Sequence, residues 1–194
     1  MPQEVLFELP RDVTRIWDLN VPIIEDKKTK TTTAFITEVI QDPHVYNELC
    51  YLLISAKPDW TFNLIINTPG GVVDSALMIV DAISNSPATV IGHLTGTVAS
   101  AGTIISMMCD DLVVAPHISF MIHNYSGGMM GKGHEMKARQ KFTDDQLNAA
   151  FMSFYSGFLT KKEMTSVLEG ADLWMSSQEI EDRWAKRVSY LEGK

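Results

Sequence analysis

Short apolar runs alternate with segments of helical periodicity through the middle of the chain. The runs are typical of strands buried on both faces, and the periodic segments are typical of amphipathic helices. The predicted strands are 64–66, 88–94, 112–115 and 120–122, and the predicted helices are 74–84 and 100–108. This alternation predicts an α/β fold with parallel crossover connections.

The pattern is more mixed toward the beginning of the chain. Residues 16–21 alternate apolar with polar side chains and predict a strand, and the polar cluster 27–30 predicts a loop. Two helices are predicted next, at 33–41 and at 44–56.

The last third of the chain is predicted to be mainly helical. A glycine-rich stretch, 127–133, precedes a long amphipathic helix predicted from about 135 to 157. Thr160 and Ser176 each stand three residues before a glutamate, which is the capping-box pattern that opens a helix. We therefore expect two further helices, the first ending near Gly170.

Composition excludes several classes of function. The chain has 194 residues, with 16 basic against 24 acidic side chains and a net charge of -8, so a nucleic-acid partner is not expected. No apolar stretch of about 18 residues indicates a membrane span, and residues 1–10 lack the pattern of a secretory signal. Cys50 and Cys109 have no zinc or CxxC spacing and predict buried free thiols in a reducing cytoplasm.

Two turns rich in small residues follow predicted strands. Paired glycines in Asn67-Thr-Pro-Gly-Gly71 allow a tight turn with exposed N–H groups. The segment Gly96-Thr-Val-Ala-Ser100-Ala-Gly102 places a serine at a helix N-terminus, which favours negative charge. Singly, these are an ordinary turn and an N-cap serine. The chemical alternative is a nucleophilic Ser100 whose oxyanion is held by the N–H groups of Gly71 and Ala101.

His123 directly follows the predicted strand 120–122 and is a candidate general base for a serine. A hydrogen-bonded histidine at a strand end is an equally simple interpretation, and four others compete: His44, His93, His117 and His134. The acid that orients a base is also open. The candidates are Asp110, Asp111, Asp144, Asp145, Glu169 and Asp172. The pair 144–145 is expected to cap the long helix, and the pair 110–111 to lie in a turn.

The glycine-rich stretch 127–133 superficially resembles a phosphate-binding loop. The pattern GxxxxGK[ST] requires glycine where this chain has Ser126, and serine or threonine where it has Gly133. We therefore expect no ATP site in this chain, and we expect no metal or other cofactor.

Taken in order, the three motifs resemble those of the Clp protease proteolytic subunit family, ClpP. They are the apolar strand with Asn-Thr-Pro-Gly-Gly at 67–71, Gly-x-x-Ala-Ser-Ala-Gly at 96–102 and Met-Ile-His at 121–123. The resemblance covers about residues 12–190. It implies a ClpP/crotonase-like fold, a superhelix of repeated β-α units with a protruding handle helix. Residues 1–194 then form a single ClpP-like serine protease domain, with the handle region at about 125–160.

The resemblance also implies residue roles. Ser100 is the expected nucleophile, His123 the general base and Asp172 the acid that orients His123. The N–H groups of Gly71 and Ala101 are the expected oxyanion donors. An extended substrate is expected to add a strand beside the segments 70–73 and 124–128. The residues expected to bind substrate are Gly70, Val72, Val73, Asn124, Tyr125 and Ser126.

The implied activity is cleavage of unfolded polypeptides by a cytoplasmic serine endopeptidase. The family assembles as two stacked seven-membered rings and is fed by an ATP-dependent AAA+ unfoldase, and the segment 135–158 is expected to mediate association between subunits. Three alternatives stay open: a phage-type maturation or other ATP-independent compartmental protease, a non-catalytic ring subunit, and a crotonase-like acyl-CoA enzyme.

The chain departs from the family pattern near the expected site. Asn124-Tyr125 stands where the family has Gln-Pro, and Ala101 stands where a larger residue is common. The interval from Ser100 to His123 is about two residues shorter than usual, which places a deletion near Pro116.

Overall fold

The computed structural model describes residues 13–16, for their backbone alone, and residues 21–193. Residues 17–20 carry most of the strand predicted at 16–21 and lie outside the described residues, as do residues 1–10. In the part of the chain that is described, no helix combines the length and apolar character needed to cross a bilayer.

A single mixed sheet forms the centre of the structure. Its strands are β1 (Val13–Ile16), β2 (Ile23–Asp26), β3 (Thr31–Ile36), β4 (Thr61–Thr68), β5 (Thr89–Ala99), β6 (Asp111–Val114), β7 (Ser119–Ile122) and β8 (Leu173–Met175). The order is β1-β2-β3-β4-β5-β7-β8, and β6 also pairs with β5. The pairs β3–β4, β4–β5, β5–β6 and β5–β7 are parallel, as the alternation of elements predicted.

Strand β5 has two successive neighbours along one edge. Residues 91–94 pair with β6, and residues 97–99 pair with β7. Between these two sections the pairing with β4 shifts, since Ile66 pairs with Leu94 but Thr68 pairs with Val98. The sheet therefore forks at β5, and the second branch leads to Ser100 and His123.

Six α-helices connect and cover the strands of the described chain. They are α1 (Asn47–Ile54), α2 (Val73–Ser84), α3 (Ala101–Met107), α4 (Gly133–Phe154), α5 (Lys161–Leu168) and α6 (Ser177–Glu192). A 3-10 turn, Pro43–Tyr46, precedes α1. Helix α2 packs against both α1 and α3, and one buried apolar core runs between these helices and the sheet.

Most of the predicted elements are confirmed, with changed ends. Strand β5 is longer than the predicted 88–94, and α6 is longer than the short helix expected there. The strand predicted at 64–66 is the centre of β4, but only alternate residues are fully buried, so one face is partly exposed. Strands β2 and β8 are additional to the predicted elements.

The helix predicted at 33–41 is wrong. Residues 31–36 form strand β3, in which Thr32, Ala34 and Ile36 are buried and the intervening side chains are half-buried. Three successive β-branched threonines favour the extended backbone, and pairing with β2 and β4 completes the strand.

The expectation that Asp144 and Asp145 cap the long helix is also wrong. Both lie within α4, which begins at Gly133. Asp145 accepts a hydrogen bond from Lys141 one turn earlier, at 2.7 Å. The expectation that the pair 110–111 lies in a turn holds for Asp110, whose carboxylate accepts the Val90 N–H. Asp111 is instead the first residue of β6 and pairs with Ile91.

Both predicted capping boxes are formed. The Thr160 hydroxyl accepts the Glu163 N–H, and the Glu163 carboxylate accepts the Thr160 N–H. The Glu163 carboxylate also accepts two hydrogen bonds from Arg183 of α6, at 3.1 and 2.7 Å. The hydrogen bonds from Arg183 are the main reason that the pKa of Glu163 is lowered to about 2. This ion pair fastens α5 to α6.

We predict that Glu163→Gln lowers the free energy of unfolding at pH 7 by about 1–2 kcal/mol, since it weakens the cap and removes the ion pair. The pKa of Glu163 is depressed in the folded state, so its contribution is present above the unfolded pKa of 4.5 and is lost as pH falls toward about 2. Urea unfolding midpoints of the two proteins should therefore converge over that range. In the control Asp145→Asn, which removes an exposed ion pair, we expect a change of at most about 0.5 kcal/mol. A gap between Glu163→Gln and wild type that stays constant down to pH 2 would contradict the prediction.

Candidate active site

The two turns that the sequence singles out pack directly against each other. The Asn67 side-chain oxygen accepts the Thr97 N–H at 2.9 Å and lies 2.7 Å from the point where a Cβ on Gly96 would stand. The Thr68 methyl lies 2.5 Å from the corresponding point on Gly102. A side chain at either glycine would separate the turns, so these small residues are required by close approach.

Gly70 completes this contact at Ser100. A Cβ on Gly70 would lie 2.6 Å from the Ser100 Cβ and 3.1 Å from the Ala101 nitrogen, and its φ of +100° is in the region that favours glycine. The Gly70 N–H donates to the Thr68 hydroxyl at 3.1 Å, which holds the turn closed. The backbone of the first turn therefore lies beside the serine.

Ser100 occupies a sharp bend between β5 and α3. Its φ of 54° and ψ of -125° are unusual for a residue with a side chain, and such conformations cost about 1–3 kcal/mol unless the surroundings hold them. The Ser100 N–H donates to the Met121 carbonyl at 2.9 Å and continues the pairing of β5 with β7. The bend directs the side chain toward the end of β7.

His123 meets Ser100 there. The His123 Nε2 lies 2.7 Å from the Ser100 Oγ, within hydrogen-bond distance. Because β5 and β7 are parallel neighbours, their carboxyl ends bring the two side chains together. With Nδ1 protonated, Nε2 accepts the serine proton, which is the arrangement a general base requires.

Asp172 lies immediately before strand β8, which pairs with the end of β7. Strand β8 runs antiparallel to β7, with Ile122 paired to Leu173. The pairing ends at these two residues, which are the neighbours of His123 and Asp172. The Asp172 side chain is exposed, and no hydrogen bond joins it to His123 within the described residues. Its role as the orienting acid stays a prediction.

The N–H groups of Gly71 and Ala101, the expected oxyanion donors, are both left free by the local backbone pairing. Ile40 exchanges hydrogen bonds with the Gly70 carbonyl and the Val72 N–H, both at 2.9 Å, so the intervening Gly71 N–H is directed away from Ile40. Ala101 is the first residue of α3, where a helix makes no internal use of the N–H. Gly71 is exposed, whereas Ala101 is buried.

An apolar cleft opens beside Ser100 and His123. The side chains of α2, α3 and α4 line it, and they include Val73, Leu77, Ile104, Leu147, Phe151 and Phe154. Such a cleft can hold an apolar side chain while the serine faces the adjoining backbone. Phe151 is buried in the core and Phe154 packs against the core. Both side chains therefore belong to the packed interior as well as to the wall of the cleft.

The expected substrate-binding residues fall into two groups. Gly70, Val72 and Val73 lead from the turn into α2, and the hydrogen bonds of Gly70 and Val72 to Ile40 show an extended backbone there. Asn124, Tyr125 and Ser126 follow β7 in an irregular segment.

Two of these side chains fasten the irregular segment to its neighbours. The Asn124 amide donates to the Leu168 carbonyl at the end of α5, at 3.0 Å. The Tyr125 hydroxyl donates to the Asp144 carboxylate of α4, a contact that raises the pKa of Tyr125. Ser126 is exposed.

The competing candidates have other surroundings. His93 bonds to the Asn63 side chain within the sheet, and Asp111 accepts the Trp184 indole N–H. Burial raises the pKa of the Cys50 thiol to about 11 and that of Cys109 still further, so neither cysteine is a reactive thiolate. Within the residues that the structure describes, no group of three or more His, Cys, Asp or Glu side chains could hold a metal ion.

Sequence reasoning missed the partners that surround Ser100. Thr103 and Tyr155 form a buried hydrogen bond beside it, and strand β8, which pairs with the end of β7, was not predicted. A threonine three residues after a candidate nucleophile was a visible signal, because its hydroxyl can reach the carbonyl one helical turn back.

Comparison with known proteins gives a consistent result. The profile of the family described as Clp protease matches residues 24–182. A protein named ATP-dependent Clp protease proteolytic subunit 1, from Chlamydia abortus, is 26% identical over 175 residues, covering 82% of this chain and 86% of its own length. A subunit 2 of the same name from Corynebacterium glutamicum is 28% identical over 148 residues, covering 73% of both chains. The subunit 2 from Pseudomonas aeruginosa is 28% identical over 144 residues, covering 73% of this chain and 68% of its own.

We predict that Gly70→Ala strongly reduces the reactivity of Ser100 toward a fluorophosphonate, by about 100-fold, because the added methyl group displaces the serine and its neighbouring N–H. Labelling rates from intact mass measure the effect. Gly170→Ala is the matched control, since Gly170 also has positive φ but no atom lies near its added Cβ. Equal labelling rates in both variants would show that the turn is not held against Ser100.

Proposed function

Because this chain belongs to the Clp protease family and is a Clp-type serine peptidase, we propose that Ser100 is its nucleophile, His123 its general base and Asp172 the acid that orients His123. The observation that carries this proposal is the contact of 2.7 Å between His123 Nε2 and Ser100 Oγ at the ends of two parallel strands.

In the proposed mechanism, His123 removes the Ser100 proton as Oγ attacks the peptide carbonyl carbon. The carbonyl oxygen becomes an oxyanion and accepts hydrogen bonds from the Gly71 and Ala101 N–H groups. The protonated His123 then gives its proton to the leaving amine, which departs as the acyl-enzyme forms. Water, deprotonated by His123, attacks the acyl-enzyme and releases the carboxylic acid product.

The backbone geometry supports the two oxyanion donors. Gly71 lies in the turn that contacts Ser100, and Ala101 immediately follows Ser100, so both N–H groups belong to segments packed on the nucleophile. Loss of one such donor commonly reduces kcat by about 10²–10³.

Asp172 acts through His123 in this proposal. Two observations support this role: the pairing of β7 with β8 ends at Ile122 and Leu173, the neighbours of His123 and Asp172, and Asn124 bonds to the end of α5, from which the chain runs on to Asp172. In this proposal the Asp172 carboxylate accepts the His123 Nδ1–H and completes the triad. Catalytic hydrogen bonds often tighten only when substrate or partner binds.

The substrate is an unfolded polypeptide bound as an added strand. Backbone groups of Gly70, Val72 and Val73 line one side, and Asn124, Tyr125 and Ser126 line the other. The apolar cleft beside Ser100 takes the side chain that precedes the cleaved bond.

We predict one fluorophosphonate adduct on wild-type protein and none on Ser100→Ala. His123→Ala should lower the labelling rate by at least about 10³, and Asp172→Asn by about 10–10³, because each removes a partner of the same proton transfer. The labelling rate of wild type and of each variant is measured from the intact-protein mass as a function of time. Asp182→Asn, an exposed carboxylate of α6 that bonds to Gln178, is the matched control for the aspartate.

The outcomes separate the assignments. An adduct that persists in Ser100→Ala would place the nucleophile elsewhere. Equal rates for Asp172→Asn, Asp182→Asn and wild type would remove Asp172 from the triad but leave Ser100 and His123 in place.

We further propose that the chain forms a single ClpP-like domain whose β-α units build a superhelix, with residues 125–160 as a handle. Copies of the chain form stacked seven-membered rings in the cytoplasm, and an ATP-dependent AAA+ unfoldase feeds the enclosed chamber. The names of the relatives support an ATP-dependent assembly. The exposure of Phe142 on helix α4, at 66%, supports the assignment of this segment as a handle that contacts other copies of the chain.

We predict that Phe142→Asp lowers the native mass, because a charge replaces an apolar contact between handles of opposing copies. Sedimentation velocity measures the change. Phe142→Leu keeps an apolar side chain and is the matched control. Phe151 and Phe154 are unsuitable for this test because they pack within the subunit. An unchanged mass for Phe142→Asp would remove this part of α4 from the interface.

A further inference from the structure

We infer that Tyr155 and Thr103 are positioning residues that hold Ser100 in its reactive backbone conformation, and that they link the nucleophile to the wall of the substrate cleft. The inference rests on the proposed role of Ser100. It assigns a function to a buried polar pair that the mechanism above leaves unused.

The contacts form a continuous chain. The Thr103 hydroxyl donates to the Ser100 carbonyl at 2.7 Å, and the same hydroxyl is hydrogen-bonded to the Tyr155 hydroxyl. The Thr103 N–H also donates to the Ser100 carbonyl, at 2.9 Å. Both donors to this carbonyl therefore come from one residue.

Counting protons fixes the direction of this chain. A threonine hydroxyl has one proton to donate, and a carbonyl can only accept, so the Thr103 proton goes to Ser100. The Tyr155 hydroxyl must then donate to the Thr103 oxygen. Tyr155 is 1% exposed, and burial raises the pKa of its hydroxyl well above the ordinary value. Burial thus favours the protonated hydroxyl, which is the form that can donate.

These hydrogen bonds stabilise the backbone conformation of Ser100. At φ 54° and ψ -125°, the peptide unit after Ser100 has a specific rotation that aims its carbonyl at Thr103. The same rotation fixes the N–H of Ala101, because the carbonyl of Ser100 and the N–H of Ala101 belong to one planar peptide unit. Release of the carbonyl would let both the serine and the proposed oxyanion donor rotate away.

The far end of α3 is fastened to the same part of the chain. Arg187 is buried, and it donates to the Met107 carbonyl at the end of α3 and to the Ser156 carbonyl just after α4. Helix α3 is therefore held at both ends to the region around Tyr155. These attachments, together with the Tyr155–Thr103 bond, oppose rotation of the bend at Ser100.

Tyr155 also faces the proposed substrate. Its side chain lines the apolar cleft together with Phe151 and Ile104, and its ring lies against Phe151 with centroids 4.6 Å apart. A side chain that fills the cleft packs on the wall to which Tyr155 belongs. Occupancy of the cleft is thereby coupled to alignment of the nucleophile.

A buried tyrosine and threonine can also be no more than a satisfied polar pair that adds stability. The two interpretations predict different labelling rates of Ser100 in variants that stay folded. A purely structural pair changes the unfolding free energy and leaves the limiting labelling rate unchanged, whereas a positioning pair changes that rate.

The test measures fluorophosphonate labelling of Ser100 in Thr103→Val, Thr103→Ser and Tyr155→Phe. Thr103→Val keeps the shape of the side chain and loses the two hydrogen bonds of the hydroxyl, to Ser100 and to Tyr155. We expect the limiting labelling rate to fall about 10–100-fold, with little change in the half-saturating probe concentration. We expect Tyr155→Phe to lower it about 3–10-fold, and Thr103→Ser to restore nearly the wild-type rate. In Thr103→Val, Tyr155→Phe should have no further effect, because the two act through one chain.

Ser106→Ala is the matched control. Its buried hydroxyl donates to the Gly102 carbonyl within α3 at 2.8 Å, so the variant removes the same kind of bond without touching Ser100. We expect its labelling rate to equal that of wild type. If Ser106→Ala lowers the rate as much as Thr103→Val, the effect is general loosening of α3 and the inference is wrong.

Crystal structures of wild type and Thr103→Val separate this inference from the proposed function. A Ser100 φ that leaves the positive region in Thr103→Val supports the inference even where no protein is labelled, and that absence of labelling would count against the proposed function alone. The inference is overturned if wild type is labelled and Thr103→Val shows both an unmoved Ser100 and an unchanged labelling rate. That result leaves the proposed function standing.

Discussion

Contact between two backbone turns is the constraint on which the site depends. The turn at 67–71 reaches the turn at 96–102 only because glycines remove every side chain that would stand between them. This approach brings Gly70 against Ser100 and the Ala101 nitrogen, at the bend where Ser100 has its unusual backbone conformation. The role of these glycines is therefore to let the two turns approach closely, and it does not depend on flexibility.

The remaining parts of the site act to keep that bend from relaxing. Strand β7 accepts the Ser100 N–H and delivers His123, while Thr103 bonds to the Ser100 carbonyl. A strained residue persists when its neighbours over-determine it, and Ser100 is held through both of its peptide units. The reactive geometry is therefore a property of three packed elements and belongs to none of them singly.

Local chemistry in the sequence predicted the regular elements and the two central site residues. Helical periodicity located α2 and α3, and the order of the motifs located Ser100 and His123. The helix at 33–41 failed because its strand is defined by neighbours distant in sequence, β2 and β4, whose pairing overrides a local pattern. The Tyr155–Thr103 bond was beyond local patterns for the same reason, since its residues meet only in the folded chain.

The fork at β5 has a consequence for how this scaffold tolerates change in evolution. Strand β6 pairs with one section of β5 and β7 pairs with the next, and residues 115–118 connect the two strands. This connection is itself held, because Ser177 of α6 bonds to Ala115 and to Ile118. An insertion or deletion there alters the connection and leaves His123 in register, because β7 takes its alignment from β5. The shorter spacing that we expect between Ser100 and His123 is predicted to fall in this connection. Alignment of His123 therefore depends on the register of β7 on β5 and not on the length of the chain between β6 and β7.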